Sequence, residues 1–316
     1  MTPSVSNHMN LNEQTNRIKQ MMGILSEQKI DSGKPVTNTP NVMGLQQDAQ
    51  MRKACEAKVS KTTLDKAKKW WKDWINNPTT KQRVKAKSNL SDEQINNVFK
   101  NYITIIDKIV NLKYHMVDTE ENAVMYIRTE DNTTVNVNCN QATDKEITDV
   151  QIVGILVHEI QHLLDEYYEL IPDDALEKDF SLSLKGYDPR NKTGLILDMN
   201  RVNQSFEALK KEGFDEKALE FYKKELIDVY ENGDPEYIQL TTELRSFIYG
   251  VRNELGKTSG QNITLDEIKK LANGKNRGNI YWLMVYVLNS GKSMTEVLNN
   301  VNSYAVTNTN NQPKTA

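Results

Sequence analysis

The stretch that most constrains this chain is His158-Glu159-Ile160-Gln161-His162, an H-E-x-x-H pentapeptide inside the apolar run 152–166. Positions i and i+4 share one face of a helix, so both imidazoles can reach a single metal ion. The acid next to the first histidine can reach a water at that ion. The chain has four histidines, and two of them are here. Turning ~100° per residue brings Gln151, Gly154, His162 and Asp165 within ~40° of His158. Val153, Leu156, Ile160, Leu163 and Leu164 fall on the far side. The pattern predicts a helix that buries an aliphatic stripe and turns its imidazoles to a cleft, with Gly154 leaving room for a ligand. Thr143 and Glu146 have capping-box spacing, which puts the helix start near Asp144; its end comes before Pro172.

At 316 residues the chain has room for one to three domains. Its 38% hydrophobic and 26% charged content suits a soluble globular protein with polar extensions. No apolar run is long enough to span a bilayer, the longest being 280–288, and the first 30 residues lack the apolar core of a secretory signal. Cys55 and Cys139 lie far apart and read as free thiols in a reducing compartment. The expected localisation from these features is cytoplasmic. Charge is uneven: residues 52–87 carry twelve Lys and Arg against Glu56, Asp65 and Asp73, while the remainder is acidic. That basic segment, with Trp70, Trp71 and Trp74, suggests docking on the acidic body, or an acidic partner or nucleic acid. Packing of the tryptophans against a neighbouring domain is the favoured reading.

Along the chain, Leu11–Gln28 has a short amphipathic pattern and Asp31–Asn41 reads as a linker. Residues 45–77 look helical and stop at Asn77-Pro78. Ser91 and Gln94 form a capping box before a stripe of Ile95, Val98, Phe99, Tyr102, Ile105, Ile106 and Ile109. Residues 123–128 and 133–138 alternate like paired strands, and a free strand edge there would suit an extended peptide. Residues 172–203 form a mixed connection with a turn at Gly186–Pro189. Helical patterns return at 204–212, 215–230, 237–255, 264–273, 279–290 and 293–303, the fourth of these patterns counted backwards being opened by Asp234-Pro235. The expected organisation is a leader and linker (1–44), a basic helical segment (45–114), a metal-binding domain (115–255), a helical subdomain (256–303) and a disordered tail (304–316).

Catalytic zinc normally takes three protein ligands and leaves a position for water. His8 and His115 both precede the motif and are poorly placed to be the third. The metzincin extension is absent, because Asp165 and Tyr168 stand where its glycine and third ligand would be. A carboxylate remains, with Glu243, Asp165 and Glu166 as candidates. Asp165, on the histidine face, suits a partner that holds an imidazole N–H.

The motif together with Glu243-Leu244-Arg245-Ser246 resembles the gluzincin group of thermolysin-like zinc metallopeptidases, over about residues 115–255. There the third ligand is a glutamate on a later helix, often followed three positions on by a small residue. The resemblance implies an α+β, mostly α fold: a zincin-like core with a small sheet and the H-E-x-x-H helix, flanked by helical segments. It implies Zn2+ held by His158, His162 and Glu243, and hydrolysis of a peptide or protein by a metal-activated water with Glu159 as general base. The chain departs from the group in Thr242, in the ~80 residues between His162 and Glu243, and in lacking a downstream histidine to stabilise an oxyanion. Tyr249, Arg245 and Tyr237 are the candidates for that task. The alternative is a non-catalytic zincin-like structural or binding protein. Residues 16–27 resemble amphipathic leaders of phage virion proteins, with Leu25-Ser26-Glu27 as an L-x-E processing site, which implies a virion setting.

Overall fold

The computed structural model describes residues 42–88, 90–116, 123–128, 130–145, 147–167, 197–232, 241–258, 261–273 and 278–303. The leader pattern and linker, the 172–196 connection, the Asp234-Pro235 helix start and the tail lie outside these residues.

Four helices lead the described chain. They are α1 (Val42–Lys58), α2 (Lys61–Asn76), α3 (Pro78–Lys87) and α4 (Asp92–Lys108). The stretch read as one helix over 45–77 is two. Ser60 adopts an extended backbone and forms a capping box with Thr63, so its hydroxyl starts a new helix. Asn77-Pro78 ends α2 and also begins α3, since the Asn77 side chain accepts from Thr79 N–H and proline needs no donor at the first helical position. Ser91 and Gln94 cap α4 reciprocally, and its expected stripe is buried.

The sheet has three strands: β1 (Asn111–His115), β2 (Met125–Arg128) and β3 (Asp131–Asn138), in the order β1-β3-β2. β2 and β3 are antiparallel neighbours, and β1 joins β3 in parallel. Met125, Val135 and Val137 are fully buried on the sheet face that meets the helices. β1 was not foreseen, because five residues with little alternation carry a weak strand signal.

A short α5 (Cys139–Ala142) leads into the motif helix, α6 (Asp149–Tyr167). Its start is five residues later than the sequence pattern implied. Thr148 and Gln151 make the reciprocal cap, with Thr148 N–H donating to Gln151 Oε1 at 2.6 Å and Gln151 N–H to Thr148 Oγ1 at 3.4 Å. Then come α7 (Met199–Lys211), α8 (Glu216–Asn232), α9 (Thr241–Glu254), α10 (Leu265–Ala272), α11 (Asn279–Ser290) and α12 (Met294–Ser303). The protein is α+β and mostly α, with one cluster of buried side chains running from Cys55 to Val301. Among the described residues, no helix is long and apolar enough to cross a membrane.

α6 is central to this core. α9 lies along it, α2 packs behind it, and β2 and the start of α11 flank it. The tryptophans are part of this packing. Trp71 is buried and donates its indole N–H to the Val157 carbonyl at 3.0 Å, and Trp74 packs edge-on to Trp71 and Tyr249. Trp70 donates to the Lys257 carbonyl. Several lysines of the basic segment are held by the body: Lys72 pairs with Asp107, Lys85 with Asp92, and Lys58 reaches the Asp144 carbonyl.

Cys55 and Cys139 are not free thiols; they form a disulfide with Cα atoms 5.4 Å apart. The chain separation of 84 residues hid a neighbourhood created when α1 lies against α5. The thiol-based argument for a reducing compartment therefore lapses.

Candidate metal centre

His158 and His162 are one helical turn apart on α6, and their Nε2 atoms face each other at 3.0 Å. Glu243 is in the first turn of α9, where unpaired backbone N–H groups favour a carboxylate. Its Oε2 lies 3.4 Å from His158 Nε2 and its Oε1 lies 3.3 Å from His162 Nε2. Zinc with nitrogen and oxygen ligands at ~2.0–2.1 Å in tetrahedral array has donor atoms ~3.3 Å apart. The observed separations, each imidazole against a different carboxylate oxygen, are close to that spacing. Among the described residues this is the group of histidine and carboxylate side chains that could hold a metal ion.

The electrostatics suit a cation. Burial alone would raise the Glu243 pKa, but His162 and then His158 outweigh it and hold the carboxylate well below its usual range. Burial acts to lower both histidines. It prevails for His158, which is held neutral. For His162 the Glu243 carboxylate, with Glu159 and Asp165, outweighs burial and takes the pKa up to about 9. Metal binding at these donors would compete with protonation of His162. His158 is nearly closed off, with 8% of its side chain exposed, whereas His162 keeps 29%, so the cluster meets solvent on the His162 side. Phe247 packs on the His158 ring and stacks in turn on Trp282. Glu159 is partly exposed and acts on His162.

Other expected site residues lie elsewhere. Asp165 does not hold an imidazole; its Oδ1 accepts from Arg245 Nη1 at 2.9 Å in a buried ion pair. Arg245, about half a helical turn from Glu243, is thereby directed to Asp165. Tyr249 is buried among Trp70, Trp71 and Trp74, on a different side of α9 from Glu243. Tyr237 and the side chain of Glu166 lie outside the described residues. Gly154 leaves room for a protein side chain rather than a ligand, since a Cβ there would stand 2.9 Å from Glu254.

Asn279, at the N-terminus of α11, takes the role expected of Asp165, with Oδ1 3.1 Å from His158 Nδ1. Sequence reading missed it. It is 121 residues away, and an asparagine at a helix start reads as local capping chemistry. Elsewhere, a groove of about 440 Å³ between α2, α3 and α4, lined by Pro78, Phe99 and Lys100, shares no residue with the metal cluster.

The chain matches no protein-family model, no curated protein and no solved structure.

Proposed function

We propose that the protein is a zinc-dependent peptidase with a zincin-like core of the gluzincin type. The observation that carries this reading is the placement of the Glu243 carboxylate against both histidines of the H-E-x-x-H helix, at 3.3 and 3.4 Å. His158, His162 and Glu243 would hold the ion, and two imidazoles with one carboxylate are a donor set suited to catalytic zinc. Bound there, zinc would supply a Lewis acid for a peptide carbonyl and a water acidified to a pKa of ~7. Glu159 follows His158 directly and is partly exposed, which suits it to take the proton of the attacking water and deliver it to the leaving amine. The substrate approaches over His162, the more open of the two rings.

Metal content and peptide hydrolysis of three proteins test the reading. The unsubstituted chain is expected to purify with, or take up, one equivalent of zinc. Glu159→Gln should keep the metal and lose hydrolysis by ~10²-fold or more. His158→Ala should lose both. Full zinc retention in His158→Ala would remove the ligand assignment.

A second reading, a zinc-holding domain without turnover, is favoured by one observation. Arg245 is engaged by Asp165, and Tyr249 is packed among tryptophans, so neither is turned toward an oxyanion at the metal. Stoichiometric zinc with no cleavage of a diverse peptide library would select it. A virion setting belongs to this second reading and rests on the leader resemblance alone.

A further inference from the structure

We infer that Asn279 is a positioning residue for His158, itself oriented by Glu254, and that the pair sets which nitrogen of His158 is offered to a metal. The inference rests on the proposed metal centre for its effect on affinity, but not for its effect on the ring's proton.

Asn279 is 3% exposed. Its Nδ2 lies 2.9 Å from Glu254 Oε1, and its main-chain N–H donates to the same oxygen at 3.0 Å. An oxygen that already accepts a backbone N–H is an acceptor whether or not the other carboxyl oxygen carries a proton. The amide must therefore present its NH2 to Glu254, which leaves Oδ1 facing His158 Nδ1. An acceptor at Nδ1 requires the ring proton to be there. Nε2 is then the lone-pair nitrogen, and it is the atom that faces Glu243 and His162.

Three glycines from three segments clear the space for this relay. A Cβ on Gly250 of α9 would stand 2.2 Å from Asn279 Cγ. A Cβ on Gly154 of α6 or on Gly278, just before α11, would stand 2.9 Å from the Glu254 side chain. The amide is confined on the α9 side and held at both ends by hydrogen bonds, so it has little freedom to turn. α11 thus contributes to the metal centre without supplying a ligand.

The test is nitrogen-15 correlation spectroscopy of the histidine rings in the metal-free full chain, paired with Zn2+ affinity by chelator competition. In the unsubstituted protein His158 is expected to carry its proton on Nδ1. Asn279→Ala should shift the ring toward the Nε2–H form and weaken Zn2+ binding by ~10–100-fold. Asn279→Asp keeps an acceptor at Nδ1 but loses the donor to Glu254, so it should hold the Nδ1–H form while recovering the affinity only in part. An Nε2–H ring in the unsubstituted protein overturns the inference, and so does an Asn279→Ala protein with unchanged ring form and affinity. Because the first measurement needs no substitution, a misfolded variant does not shield the idea. If the unsubstituted chain binds no zinc, the proposed function fails while the ring measurement still judges the relay.

Discussion

Glu254 shows how a single side chain can carry a measurable cost for orienting others. Burial pushes its pKa from 4.5 up to about 7, against the opposing effect of the two Asn279 N–H donors. Its Oε2 is buried without a hydrogen-bond partner. Between pH ~4.5 and ~7 the folded chain keeps a proton that the unfolded chain has released, so stability falls as pH rises through this window and is level above it. The span amounts to on the order of 3 kcal/mol. Glu254→Gln has no titrating group and should flatten that part of the profile, as measured by urea unfolding at several pH values between about 5 and 8. A variant whose slope equals that of the parent would show that Glu254 is not its source.

At the scale of elements, the contact between α6 and α9 decides whether there is a site. α6 supplies both imidazoles and α9 supplies the carboxylate, so a shift of either helix by one turn separates them. The Asp165–Arg245 pair lies one turn beyond His162 and joins the same two helices, with 8% and 5% of the side chains exposed. Burial raises the Asp165 pKa, and the Arg245 charge beside it opposes that shift. Removing one partner leaves the other charge buried. Arg245→Leu is therefore expected to cost ~3–5 kcal/mol and, through loosened helix packing, to weaken any metal binding at the proposed centre. Asp165→Leu combined with Arg245→Leu should recover most of the lost stability, because no unpaired charge remains. Thermal unfolding of the two proteins makes the comparison. A double variant no more stable than the single one would mean that the pair matters for more than charge compensation.

Across the whole molecule, the disulfide fastens α1 to α5, the short helix that follows β3. Cys55 and Cys139 are both fully buried, and their bond closes a loop of 84 residues. In the chain-entropy picture a closed loop of this size restricts the unfolded chain by about 4.5 kcal/mol. Reduction, or Cys55→Ala with Cys139→Ala, is expected to lower the unfolding temperature clearly. Thiol titration of the denatured, unreduced protein should find no free cysteine. Two free thiols in that assay would remove the bond and this source of stability with it. At the same scale, Trp71 and Trp74 are part of the packing behind α6, and several lysines of the basic segment answer carbonyls and carboxylates of the body.

What the sequence determined by itself is what depends on neighbours a few residues away. The phase of α6, the i and i+4 imidazoles, the reciprocal cap of Ser91 with Gln94 and the β2–β3 pairing all follow from helical or strand period and from capping chemistry. Elimination of a third histidine left Glu243, Asp165 and Glu166 as candidates, and the resemblance to the gluzincin group singled out Glu243, whose carboxylate lies beside both imidazoles. Local rules also misled where two local choices competed. Thr148, rather than Thr143, caps α6; the Thr143 hydroxyl instead donates to the Cys139 carbonyl one turn back. Tertiary structure alone decided the partners that lie far apart in the chain. It joined Cys55 to Cys139, turned Asp165 from the histidines to Arg245, and brought Asn279 to His158 across 121 residues. The reason is physical. Period and capping are enforced within one or two turns of backbone, whereas these contacts arise only when separate helices bury their apolar faces against the same core.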